Sequence, residues 1–303
     1  MQNDILMKKY FISFLFSTLF FQVIQAQGCS DAGICSIGTP HENLSKAAKN
    51  QIEVSTILGA GESDTHYFSP SVTYTRNFNE RWDAAAKITS SFASGSFGQR
   101  GSIGDAYLLV NYKPASGKIF KWSYTAGAKI PFNRANLKIN NHPLPLDYQS
   151  SLGTFDFLGA ANLSYKKFDF NMAVQIPVFN INANSYFAEY SGTDDFPTTN
   201  LFERKPDMLF RTIYTIKTKK ITFKPNLLFI YHLGEDTYEN IYGRRLSIAG
   251  SQGLTVNGNL ISTYNLNAAS IELSLATPFV VRDIRPDGLT RKYTVGISYK
   301  TRF

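Results

Sequence analysis

Charge is scarce in this chain: Asp, Glu, Lys and Arg supply 18% of its 303 residues, against roughly a quarter in soluble domains. Long apolar runs are missing too. Past the N-terminus none approaches the roughly 18 residues a membrane-spanning helix needs, which excludes a helical membrane protein. Cysteine is confined to Cys29 and Cys35, and there are only 4 histidines and 2 tryptophans. Present in excess are the other aromatics, 24 Phe and 17 Tyr, together with 21 Gly. Few charges, many β-formers and no long apolar run describe apolar residues dealt out singly along strands, and they exclude intrinsic disorder.

Residues 1–26 carry a secretory signal: Lys8-Lys9, an almost wholly apolar stretch from Tyr10 to Phe21, and the small Ala26 before the cut. Export accounts for the cysteines, since both follow the cut into an oxidising compartment. A disulfide between Cys29 and Cys35 is expected, with Gly33 relieving the turn. Two other readings stay open. Lipidation of Cys29 would want a branched residue where Ala26 stands, and a soft-cation site built from Cys29, Cys35, Asp31 and His41 lacks a second cysteine pair.

From about residue 50 the chain alternates apolar and polar at period two, the pattern of strands with one greasy and one wet face. In residues 119–132, Phe120, Trp122, Tyr124, Ala126, Ala128, Ile130 and Phe132 share one face, and Lys121, Ser123, Thr125, Gly127 and Lys129 the other. A soluble sandwich would carry aliphatic residues along such a face, whereas here its ends are aromatic. The same phase recurs in about twelve strands, at 51–60, 66–78, 82–94, 103–113, 119–132, 152–165, 168–180, 207–217, 220–233, 252–264, 269–281 and 291–303. Tight turns, such as Lys166-Lys167, alternate with long polar connections near 133–151, 181–206 and 234–251. The expected fold class is all-β: a transmembrane antiparallel up-and-down β-barrel of about 12 strands, with about 10 to 14 compatible with the pattern. Residues 27–50 stand outside the alternation, as a plug or a periplasmic tether ahead of a barrel at 51–303.

The last strand sets Tyr293, Val295, Ile297, Tyr299, Thr301 and the terminal Phe303 against Lys292, Thr294, Gly296, Ser298, Lys300 and Arg302. This resembles the C-terminal β-signal of bacterial outer-membrane β-barrel proteins, an alternating final strand closing on an aromatic residue. The resemblance implies residence in outer-membrane lipid and insertion by the barrel-assembly machinery, with Tyr299 and Phe303 as the assembly signal. It also implies that both termini are periplasmic. In layout alone, the segment ahead of the barrel is similar to that of fatty-acid-transporter-type barrels, which have more strands and hold an N-terminal segment inside.

With the aromatic face toward lipid, function falls to the inward residues and the loops. Lumen-lining candidates are Glu53, Lys87, Asp105, Lys129, Asp156, Arg211, Lys224 and His232, mixed in sign within a narrow interior. A channel or transporter for a small polar or amphipathic solute is the leading expectation, with a slight preference for anions. The alternatives are a salt-bridged, non-conducting barrel that binds other outer-membrane proteins, with Tyr186, Phe187, Tyr190, Phe196 and Phe202 as its loop aromatics, and an outer-membrane hydrolase. No enzymatic activity, cofactor or metal is expected. His66 and Ser69, three apart on a strand, fall on opposite faces and make no base–nucleophile pair. The net charge of +8 is scattered or sits at turns, without the stripe that nucleic-acid binding needs.

Overall fold

The computed structural model describes residues 49–61, 63–115, 119–287 and 292–303. The signal region, Cys29 and Cys35, and nearly all of the segment at 27–50 lie outside the described residues. The barrel strands are β1 (Asn50–Ala60), β2 (His66–Asn77), β3 (Trp82–Gly95), β4 (Gly98–Tyr112), β5 (Phe120–Pro131) and β6 (Thr154–Tyr165). They continue as β7 (Phe168–Asn180), β8 (Asp207–Tyr214), β9 (Ile221–His232), β10 (Gly253–Asn265), β11 (Ala269–Val280) and β12 (Tyr293–Arg302). Each pairs antiparallel with its sequence neighbours, and β12 returns to β1, from Gln51 opposite Arg302 to Ala60 opposite Tyr293. The result is a closed twelve-stranded up-and-down barrel.

Closure follows from the alternation. A sheet with one face in hydrocarbon cannot leave an edge, because unpaired N–H and C=O groups find no water there. At the seam, Asn50 and Phe303 exchange backbone hydrogen bonds of 2.9 and 3.0 Å, which ties the chain's last residue to its first strand. The outer face bears what a soluble surface would avoid: Val178 is 70% exposed, Ile103 55% and Val72 51%, within a continuous apolar wall. Rings gather where the strands meet the tight turns. Phe120 stacks on Tyr165 with centroids 5.0 Å apart, and Phe168 meets Tyr214 at 4.9 Å. That arrangement matches an interfacial aromatic girdle.

One end of the barrel therefore carries both barrel ends of the chain and the turns after β2, β4, β6, β8 and β10, and the other carries the long connections together with the tight β3–β4 hairpin. At the Lys166-Lys167 hairpin, Lys166 adopts φ 54°, the left-handed conformation a two-residue turn requires. The strand boundaries depart from the alternation chiefly at β4, which begins at Gly98 rather than near 103. Residues 98–102 pair with Ser91–Gly95 of β3 beyond a bulge between Ile88 and Ser90. They are Gly-Gln-Arg-Gly-Ser, a hairpin tip with no apolar face to alternate. The long connections hold short pairs, Lys138–Ile139 with His142–Pro143 and Thr237–Glu239 with Arg245–Ser247, plus 3-10 turns at Leu146–Tyr148 and Ala188–Tyr190.

Phe303 is 59% exposed on the lipid side of this seam. Replacing it by Asp places a charge at the aromatic girdle beside the closing hydrogen bonds. The expected outcome is a several-fold drop in folded barrel, read as loss of the fast-migrating band in unheated gel electrophoresis of membranes.

Candidate functional site: the barrel lumen

The inward residues divide the lumen into three levels. At the turn end lies a cavity of about 260 Å³ lined by charged side chains, among them Glu53, Lys87, Lys113, Lys224, Glu272 and Lys300. Lys300 links β12 to both neighbours, 3.0 Å from Glu272 and 3.9 Å from Glu53. Asp83 pairs with Lys113 at 2.8 Å and accepts from Asn111 at 2.5 Å, and Asn111 in turn accepts from Thr125 at 2.6 Å. Lys300, Glu53 and Glu272 are partly solvated, so their pairs contribute little to stability and their field is what a solute would meet, whereas Asp83, Asn111 and Thr125 are buried in the wall.

The middle level is apolar. Ala85, Tyr107, Leu109 and Leu158 form one buried cluster, and Ala173, Leu209 and Leu228 a second, with Leu158, Leu209 and Leu228 at 0% exposure. All sit at inward phases. Scanning inward positions for charge overlooks this layer, although its signal was present: Leu158 is an apolar residue in phase with Asp156, Asn162 and Ser164. Arg211, also inward, is buried.

The loop end holds a buried ionic network. Lys129 lies directly across the ladder from Asp156, 2.9 Å away, and donates to Thr154 at 2.9 Å; Gln175 also donates to Asp156. Asp105 accepts from Ser151 of the connection after β5 at 2.5 Å. His232 is held on both ring nitrogens, with Nδ1 2.6 Å from Asp207 and Nε2 2.7 Å from Asp236. Around it Arg204 pairs with Asp207, and Arg282 lies 2.6 Å from Asp287 and 3.7 Å from Asp236. Burial pushes Asp236 above the usual carboxylate range despite its contact with His232. Asp287, although buried, is held down at about 2 by Arg282 and Arg204. A neutral imidazole donates from one nitrogen only, so a proton is shared among His232 and its two carboxylates.

Three long connections deliver these partners. Arg204 closes the segment after β7; Asp236 lies in the segment after β9; Arg282 and Asp287 follow β11. Ser251 knits two of them together, accepting from the Asp236 amide at 2.8 Å through its hydroxyl and from Arg282 at 2.6 Å through its carbonyl. The segment after β7 is ordered by an asparagine relay in which Asn180, Asn182 and Asn184 each accept from the amide two residues on, at 2.8, 2.9 and 3.0 Å. Of its aromatics, Tyr186, Phe196 and Phe202 turn inward and are buried, while Tyr190 stays exposed. Tyr186 and Phe196 pack with Tyr148, Leu144 and Tyr67.

The loops thus form a lid packed into the barrel mouth. The lumen candidates separate accordingly: Glu53, Lys87 and Lys224 line the turn-end cavity, while Asp105, Lys129, Asp156 and His232 join the loop-end packing. Among the described residues no group of three His, Cys, Asp or Glu side chains is arranged to hold a metal ion. His66 is exposed, and the Ser69 hydroxyl faces Ser91 at 3.2 Å inside the barrel, so these two stand on opposite sides of the wall.

Two measurements probe the lid. Arg282→Ala leaves Asp287 and Asp236 buried beside an empty position, a loss of about 3–5 kcal/mol for a broken buried pair; the barrel's unfolding temperature should fall. Asp147, under the lid and 3.5 Å from the Tyr67 hydroxyl, is raised to about 7, chiefly by burial. The folded state therefore keeps a proton that the unfolded chain releases above its ordinary value of 3.8. Stability from this group is full below pH ~4 and declines as pH rises toward ~7, by at most about 4 kcal/mol. Unfolding temperature should fall as pH rises from ~4 to ~7, and Asp147→Asn, which stays neutral, should flatten the slope.

No family model and no curated protein sequence matches the chain. Among solved structures it is similar to an outer membrane channel from Pseudomonas putida F1, at 12% identity and TM-score 0.57 over 87% of this chain and 99% of that one. It also aligns with the KdgM porin, at 8% identity and TM-score 0.45 over 84% and 99%, and with LpxR from Salmonella typhimurium, at 8% and 0.41 over 84% and 100%. At these identities what is shared is architecture: the chain has the barrel fold of bacterial outer-membrane proteins.

Proposed function

We propose that the protein is an outer-membrane channel for small polar solutes, with its tight turns and termini on the periplasmic side and its loop end closed by the folded lid. The observation that carries this reading is the charged turn-end cavity of about 260 Å³. A purely structural lumen has no need of a solvated chamber. Lys87, Lys113, Lys224, Lys300 and Arg302 outweigh Glu53, Asp83 and Glu272 around it, which favours anions. Passage requires the lid to lift and the leucine layer behind it to part. The same layer supports a second reading, a barrel that stays shut and presents its loops to another outer-membrane protein.

Planar-bilayer recording separates the two. The expected result is discrete conductance with anion preference, a reversal potential that moves toward cations in Lys224→Glu, and longer openings in Arg282→Ala. A bilayer that stays silent even with Arg282→Ala would reject the channel in favour of the shut barrel.

A further inference from the structure

A second cavity lies on the outside of the barrel, away from the lumen: an apolar groove of about 620 Å³ in the lipid-facing wall across β8 to β12. Its floor is formed where the outward residues are short or flat, at Thr212, Pro225, Gly258 and Thr277. Large side chains border it. The Phe279 ring lies against Gly258, where a bulge in β10–β11 pairing sets Val256 opposite Val280 and Asn257 opposite Pro278. At its lower end stand Phe168 and Tyr214, the first residue of β7 and the last of β8, which pair across the ladder.

The groove climbs. It touches β7 and β8 at their turn-end residues, β9 at Pro225 and Leu227, β10 at Gly258 and Leu260, and β12 at Tyr293 and Val295 near the opposite end. It therefore runs from the aromatic girdle into the hydrocarbon, the path of an extended acyl chain whose headgroup sits at the turn end.

That headgroup position is strongly basic. Directly below Phe168 and Tyr214 are two adjacent turns carrying Lys166, Lys167, Lys217, Lys219 and Lys220, all exposed. The stretches 165–168 and 214–221 contain no carboxylate. The turns are joined by the Thr215 amide donating to the Lys167 carbonyl at 2.8 Å. The Lys167 ammonium sits 6.0 Å from the centre of the Tyr214 ring, which brings the cation to the mouth of the groove. The next turn on one side, Leu266-Asn267-Ala268 between β10 and β11, has no charge at all.

We propose that this groove and its lysine turns form a binding site for an anionic glycerophospholipid of the turn-end leaflet, with one acyl chain in the groove and the phosphate between the lysines. A zwitterionic lipid of the same chain length would fill the groove without the charge match. Basic residues close to a membrane surface each favour an anionic headgroup modestly, and several together give a preference that salt weakens.

The test uses the purified barrel in nonionic detergent, offered equal amounts of phosphatidylglycerol and phosphatidylcholine with identical chains and examined by native mass spectrometry. The expected result is retention of phosphatidylglycerol over phosphatidylcholine by about tenfold, reduced by salt. Replacing all of these lysines by Ser should abolish the preference, while replacing them by Arg should keep it. Thr277→Trp, which fills the groove, should lower retention of both lipids. Heat-modifiable migration of each variant confirms that it is folded. Equal retention of the two lipids, or a preference that survives the Ser substitutions, would overturn the proposal. So would Thr277→Trp without effect, displacement of the lipid by inorganic phosphate alone, or a lipid-free dimer with the groove buried between copies.

Discussion

Hydrocarbon offers no partner to a peptide group, and the rest of this structure depends on that constraint. A strand that spans the bilayer must pair on both sides, so twelve antiparallel strands close on themselves and β12 must find β1. Closure then dictates the two faces. Outward residues meet lipid and are apolar with aromatic ends, and inward residues meet one another in a narrow interior that they must fill or hydrate. Phe303 belongs to both requirements, since its backbone completes the ladder with Asn50 and its ring stands in the lipid-facing girdle.

Inside, the second consequence is electrostatic. Charges withdrawn from water cost several kcal/mol each unless they are paired and hydrogen-bonded. The loop end meets that condition by crowding Arg204, Arg282, Asp207, Asp236, Asp287 and His232 together, cations and carboxylates in near balance. The turn end meets it by keeping Lys87, Lys224 and Lys300 around a solvated chamber. Between them the leucine layer separates a wet compartment from a dry one, which is why charged residues of the same lumen have such different surroundings.

How much of this the sequence shows follows from which interactions are local. Strand phase is local, so the alternation in 119–132 assigns faces correctly residue by residue, whereas at the end of 168–180 a bulge exposes Val178 and Phe179 together. Lys129 and Asp156 lie opposite each other in adjacent strands, and both were marked as inward, but their pairing depends on register across the long connection between β5 and β6. The partners of His232 were out of reach for a stronger reason. Asp236, Arg282 and Asp287 lie in connections that alternation treats as polar loops, and only their folding into the mouth makes them part of the lumen. The Asn180, Asn182 and Asn184 spacing was a readable sign that the segment after β7 is ordered, because each amide side chain fixes the backbone two residues on. The apolar inward positions Leu158, Leu209 and Leu228 were equally readable, and they correct the picture of a lumen lined mainly by charge.

The membrane constraint also decides where motion can occur. Separating two strands within the hydrocarbon would expose a run of peptide groups to lipid, so the wall is the part of the molecule least free to change. The lid is held differently. Its ion pairs, and the hydrogen bonds, side-chain and backbone, that knit its connections together, involve groups such as those of Ser251, Arg282 and Asp287 that face water as soon as they are exposed at the loop end. Lifting it exchanges protein partners for solvent ones, whereas opening the wall would exchange them for none. In the proposed channel the gate is therefore formed by the connections after β5, β7, β9 and β11, with the strands serving as the fixed frame against which those connections pack.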